Sequence, residues 1–162
     1  MSRDRFKDRI LAREAAFKAL FQLDFNFEDD QREYYENLAI ETMFDDSPRL
    51  TRKKDLAFIE TLVKGTRAHL EEIDEIITAH LKPGWLLSRI MAADRNILRL
   101  AIYEINFAEY SIPRKIVINE AVELAKKYGT DDSGRFVNGV LEAVSKNNDD
   151  TDSKNVNVPS GE

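Results

Sequence analysis

Arginine is the side chain whose placement in this sequence suggests chemistry with a partner. Arg5, Arg9 and Arg13 recur at four-residue intervals, so on a helix they line one slowly drifting strip. Lys7 lies off that strip, Lys18 lies near its own side, and Asp4, Asp8 and Glu14 interrupt the run. Such a strip can neutralise phosphates, releasing counterions and making binding fall as salt rises. The same spacing also suits a solvated helix end carrying local ion pairs, for instance Arg9 with Asp8 or Glu14. Phosphate contact does not read sequence, and single-stranded bases need aromatic or hydrogen-bonding partners as well.

Other reactive groups give little. His69 and His80 are eleven residues apart, within about 20° on a helix but about 16 Å along it, too far to share a metal. His80 continues an apolar stripe and suits a core or capping role. Gly129, Gly134 and Gly139 fall five residues apart, yet Gly134 precedes Arg135-Phe136 and Gly139 precedes Val140-Leu141. A phosphate loop needs Gly-Lys-Ser/Thr at its end. The first two glycines fit helix punctuation, and Gly139 a tight helix–helix contact. Carboxylate pairs such as Asp29-Asp30, Asp45-Asp46, Glu71-Glu72 and Asp131-Asp132 have no His or Lys companion that singles one out for acid–base work. Neither a metal nor a cofactor is expected, and the sequence does not suggest an enzyme.

Composition sets the frame. The chain has 162 residues, no cysteine, 33% charged residues and a net charge of −6. That length suits one domain with a real core, and the lack of cysteine excludes disulfides and thiol chemistry. Apolar runs such as Leu56-Ala57-Phe58-Ile59 stop at four residues, against about 20 for a membrane span and about 7–15 for a secretion signal. A cytoplasmic protein without membrane association is therefore expected. The charge is uneven: residues 1–20 carry +3, 21–50 carry −7, 51–146 carry +1 and 147–162 carry −3. Partners meet patches rather than totals, and most of the negative charge lies away from the amino-terminal end.

Helical periodicity and few Gly or Pro predict an all-α chain. A first helix is expected from about Asp4 or Asp8 to Phe25, with Ile10, Phe17, Phe21, Ala16, Leu20 and Leu23 on its apolar side. A second starts at Asp30, capped with Glu33 reaching back, and ends near Met43. The longest, capped by Thr51, carries Leu56, Ile59, Val63, Thr66, Leu70, Ile73 and Ile77, with a bend at Gly65. Pro83-Gly84-Trp85 marks a junction between subdomains of about 1–82 and 85–146. Beyond it come helices over Leu86–Ala93, Asp94–Glu109, Pro113–Gly129, and from Asp132 or Ser133 along Phe136, Val137, Val140, Leu141 and Val144. About seven helices in two small bundles result, followed by a disordered, acidic tail over 147–162.

Several blocks resemble a known family. Arg95-Asn96-Ile97-Leu98-Arg99-Leu100-Ala101-Ile102-Tyr103-Glu104-Ile105, Ile112-Pro113, Ile118-Asn119-Glu120-Ala121 through Tyr128-Gly129, and Arg135-Phe136-Val137-Asn138-Gly139-Val140-Leu141 are similar to blocks of the NusB family of transcription antitermination factors. Ala12-Arg13-Glu14 through Phe21-Gln22 resembles that family's opening helix. The likeness runs in order from about Arg9 to Lys146.

The resemblance implies two small helical bundles and a non-enzymatic adaptor. It would pair with the ribosomal protein NusE on boxA RNA and join NusA and NusG on RNA polymerase. It also implies an RNA surface at Arg9, Arg13, Lys127, Asp132, Arg135 and Phe136, and a NusE-facing surface at Phe21, Phe25 and Asp94. Phe21 and Phe136 suit core packing equally, and Asp94 a helix cap. Consecutive family arginines are replaced here by Arg9-Ile10-Leu11, with Arg3, Arg5 and Lys7 further out, implying weak binding without a partner. A homodimer that hides the RNA surface is a further expectation. Two alternatives stay open: a ribosome-assembly or general RNA-binding adaptor, and the amino-terminal module of an rRNA methyltransferase, disfavoured because only a short tail follows.

Overall fold

Alanines at 12, 15, 16 and 19 are all essentially inaccessible, which lets neighbouring helices close on the first one. In the computed structural model, residues 2–25 and 29–156 are described, with side chains over 5–25 and 30–148. Seven α-helices form that portion: α1 Ser2–Leu23, α2 Arg32–Asp45, α3 Lys53–Ala68, α4 Leu70–Ala79, α5 Ala92–Ile102, α6 Arg114–Tyr128 and α7 Ser133–Val156. No strand occurs among the described residues. None of the helices there is long and apolar enough to cross a membrane.

Helices α1, α2 and α3 pack together as one group, and α5, α6 and α7 as the other, while α4 touches α3, α5 and α7. One apolar cluster runs through both, from Ile40, Ile59 and Leu62 to Ile97, Leu98 and Leu141. Each such side chain contributes about 1.5–3 kcal/mol on burial. The α1 stripe is narrower than its apolar residues suggest: Phe17, Leu20 and Leu23 are buried, whereas Ile10 is 40% exposed.

The expected long helix is two helices. The break falls at His69, whose φ of −107° and ψ of 17° leave the helical region, and not at Gly65. A Cβ at Gly65 would overlap the Tyr103 ring, so this glycine serves a close approach while the helix runs straight through it. The His69 ring stacks on Phe107, with centroids 4.5 Å apart. Arg52, rather than Thr51, stands at the N-cap of α3 without a side-chain cap bond. A 3-10 turn at Asp29–Gln31 precedes α2, so Gln31 replaces Asp30 at its cap.

Past α4, Gly84 adopts a φ of 89° in the Pro83-Gly84 turn, a region open to glycine at little cost. The expected helix over Leu86–Ala93 is only a 3-10 turn at Leu87–Arg89, too short a segment to repeat helical bonding before Ile90 turns extended. The expected helix over Asp94–Glu109 becomes α5 followed by a π-helical turn at Tyr103–Phe107. The Ala108 N–H donates to Tyr103 O at 2.9 Å, a five-residue step that widens the helix. Helix α7 continues as backbone to Val156, past Asn147 where the acidic tail was expected to begin. Extending a formed helix adds one bond per residue fixed, and Asn148 Nδ2 donates to Asn106 Oδ1 at 2.7 Å. Residues 157–162 of that expected tail lie outside the described residues.

Candidate nucleic-acid interface

Gly129 ends α6, and a Cβ there would overlap Ser133. Ser133 Oγ accepts the Thr130 N–H at 2.9 Å and donates to Asp94 Oδ2 at 3.1 Å. Both Ser133 and Asp94 are buried. This fastening fixes the start of α7 and sets Asp132 and Arg135 on its exposed side, with Phe136 half-buried between.

Across from them comes the segment after Gly84. The Trp85 N–H donates to Lys82 O at 3.0 Å, and the indole, 55% exposed, stacks over Phe136 with centroids 6.0 Å apart at 22°. Between the two segments lies an open groove of about 510 Å³, walled by His80, Leu81, Lys82 and Trp85 on one side and Asp132, Arg135, Phe136, Gly139 and Val140 on the other. Nothing lies within 4 Å of a Cβ placed on Gly139. It is therefore no helix–helix contact, contrary to the spacing argument; its bare backbone leaves the groove open. His80 closes α4, its Nδ1 donating to Ile76 O at 2.8 Å. Stacked aromatic faces flanked by Lys82 and Arg135 suit an unstacked base with phosphates beside it.

The arginine strip of α1 does not stay on the surface. Four-residue steps drift by 40° each, and the strip sinks: Arg5 is exposed, Arg9 half-buried, Arg13 buried. Arg9 lies over the Phe58 ring, 3.7 Å from its centroid, and burial lowers its pKa. Arg13 is a correction to the expected RNA surface. Its Nε and Nη2 donate to the two Glu104 oxygens at 2.8 and 3.1 Å, and its Nη1 pairs with Glu120 at 2.8 Å. Burial opposes its charge, but the bonds and charges of Glu104 and Glu120 outweigh burial and raise its pKa. Burial also pushes the Glu120 carboxyl up, with Glu104 adding to the shift and Arg13 opposing it. Arg13 thus positions α1 against the π turn and α6.

Lys127 stays outside. Its Nζ donates to Glu14 Oε2 at 2.7 Å, and Tyr128 Oη donates to the same oxygen at 3.0 Å. Burial of Glu14 is outweighed by these two donors, which hold its carboxyl below the usual range. Phe21 and Phe25 are 37% and 60% exposed and meet edge to face at 5.2 Å, an apolar patch at the end of α1. Asp94 is not part of it: the carboxyl is buried on Ser133 in the first turn of α5, without a cap bond, and burial raises its pKa. From sequence, Trp85, Lys82 and Gly139 had been given no part in this site. The signal was present: the sole tryptophan follows a Pro-Gly turn.

Comparison with known proteins places this geometry in context. The NusB family model matches residues 11–146. The transcription antitermination protein NusB of Bacillus subtilis is 43% identical over 136 residues, covering 84% of this chain and 93% of that protein. That of Desulfitobacterium hafniense is also 43% identical, covering 84% and 86%. Among solved structures, NusB from T. maritima superposes with a TM-score of 0.73 at 39% identity over 85% of this chain and 90% of that one. A NusB in complex with NusE and double-stranded RNA superposes with a TM-score of 0.72 at 32% identity, over 87% and 98%.

Proposed function

The chain belongs to the NusB family of transcription antitermination proteins, and from that premise we propose that it pairs with NusE on boxA-type RNA in the cytoplasm. There the pair joins RNA polymerase, NusA and NusG, and it works by binding alone, without covalent chemistry. The observation that carries this reading is the open groove in which Trp85 stacks on Phe136 beside Lys82, Asp132 and Arg135. Its aromatic faces take a base, Asp132 and Arg135 offer hydrogen bonds to base edges, and the cations hold the backbone. Arg9 and Lys127 extend the cationic surface along α1 and α6. Phe21 and Phe25 supply the apolar face for NusE, while Asp94 acts from beneath by fixing Ser133.

Fluorescence anisotropy with labelled boxA RNA, with and without NusE, tests the proposal. Binding is expected to be weak and salt-sensitive for the chain alone and tighter with NusE. Trp85→Ala or Phe136→Ala should each lose about 1–3 kcal/mol, the worth of one stacked base. If NusE adds nothing and scrambled RNA binds equally well, the reading fails.

A further inference from the structure

Sequence-distant cations meet at the amino-terminal end of α1. Asp8, 7% exposed, accepts from Arg49 Nε through Oδ1 and from Arg52 Nη2 through Oδ2, each at 3.1 Å. One carboxylate therefore holds two guanidinium groups from the α2–α3 connection. About half of each arginine side chain remains in solvent, 48% and 51%.

Around this pairing the charge is lopsided. Residues 5–9 and 49–55 hold seven bases against two acids. Both acids, Asp8 and Asp55, are buried, while Arg5, Lys7, Arg49, Arg52, Lys53 and Lys54 are exposed. Among the described side chains, the nearest exposed acids along the chain, Asp45 and Asp46, belong to the end of α2. The charged side chains that face water in these two segments are thus cationic.

The patch is continuous with the surface already described. Asp8 and Glu14, the anchors of Arg52 and Lys127, are six residues apart on α1, about 9 Å along the axis and about 120° around it. Exposed Lys7 falls between them on the helix wheel. No large hydrophobic residue is exposed between Arg49 and Asp55, and Phe6 and Ile10, exposed on α1, stand about 160° around the helix from Asp8, whereas a protein interface at the Asp8 cluster would carry an apolar or aromatic centre. Planar guanidinium forks held by a shared carboxylate suit phosphate oxygens.

We propose that Arg49 and Arg52, set in place by Asp8, form a second phosphate-binding station for the same RNA, holding backbone that runs on from the Trp85–Phe136 groove across the exposed face of α1. The proposal rests on the RNA reading above. Its test uses the full chain and two single-stranded RNAs carrying the boxA element, one just spanning the groove and one roughly 20 nucleotides long, with affinity followed against salt. The variant R49Q/R52Q should lower the slope of log affinity against log salt by about 1.4 on the long RNA, two phosphates at about 0.7 each for single strands. On the short RNA the slope should stay as in wild type. If R49Q/R52Q melts because Asp8 is left buried and unpaired, D8N/R49Q/R52Q removes that charge, and the same loss of slope is expected. A wild-type slope on the long RNA in a folded variant overturns the proposal and assigns the patch to an acidic protein. If the wild-type chain binds neither RNA, the RNA reading itself falls and the second station with it.

Discussion

Replacing Arg13 by Met keeps most of the side-chain volume and removes the charge between Glu104 and Glu120. The Glu104 side chain is 1% exposed and that of Glu120 12%, so two carboxylates would be left buried together. Breaking a buried pair in this way costs about 3–5 kcal/mol. For a chain of this size each kcal/mol lowers the melting temperature by about 2–4 °C, giving a drop of roughly 6–20 °C. The loss also depends on pH, with a definite sign. Burial already holds the Glu120 pKa above 4.5 in the folded state, so the folded protein binds more protons than the unfolded one. The stability linked to this group is fully present below 4.5 and declines as pH rises through the folded value. Removing Arg13 takes away the charge that opposes the shift, so the penalty is largest at neutral pH and shrinks as pH falls toward 4.5. Parallel thermal melts of wild type and Arg13→Met across that range read the difference directly. Adding Glu104→Gln and Glu120→Gln should recover most of the loss, because neutral groups need no counter-charge. A loss below about 1 kcal/mol, or one that does not shrink in acid, would refute the assignment of Arg13 to a buried ionic clamp.

Two glycines should respond oppositely to alanine in urea denaturation. Gly65→Ala drives a methyl into Tyr103 and should cost about 1–3 kcal/mol, whereas Gly139→Ala meets nothing and should gain about 0.5–1 kcal/mol. Gly139→Ile should fold normally yet weaken RNA binding by filling the groove, as an anisotropy titration would show. Asp24 accepts from Arg95 at 2.7 Å, Arg99 at 3.1 Å and Asn96 at 3.1 Å. Burial is outweighed by these donors, and the carboxyl sits below its ordinary 3.8. Its stabilisation is therefore present above 3.8 and lost as pH falls through the depressed value. Asp24→Asn should lose about 1.5–3 kcal/mol at neutral pH and flatten the acid limb of a stability–pH curve.

Most helix positions, the apolar stripes and the break at Pro83-Gly84 were legible because burial imposes a period that survives in residue order. The stripe from Leu56 to Ile77 even carried across the His69 break, since Ile59, Val63, Ile73 and Ile77 are all buried. The break itself was not legible: it falls at His69, whose ring meets Tyr103 and Phe107 of the π turn, more than thirty residues further along the chain. At the site, Lys127, Asp132 and Arg135 are exposed, and Phe136, which spacing put on a buried stripe, is half-buried. Spacing alone could not tell Arg9 from Arg13. What distinguishes them is Glu104 and Glu120, some ninety and more residues further along the chain. Trp85 and the Asp8–Arg49–Arg52 cluster were missed for the same reason: each acquires meaning only from a neighbour that folding supplies.

The π turn at Tyr103–Phe107 amounts to one residue spliced into a helical frame. From that short stretch Tyr103 fills the space above Gly65, Glu104 grips Arg13, and Phe107 lies on His69. Deleting a single residue there would restore an ordinary helix and turn everything after the deletion by about 100°. Phe107 and Tyr110 would then swing away from His69 and Glu104, and the bond to Arg13, 91 residues upstream, would lose its bracing. The reading frame of one turn in the second bundle thus governs how the first helix of the other is seated.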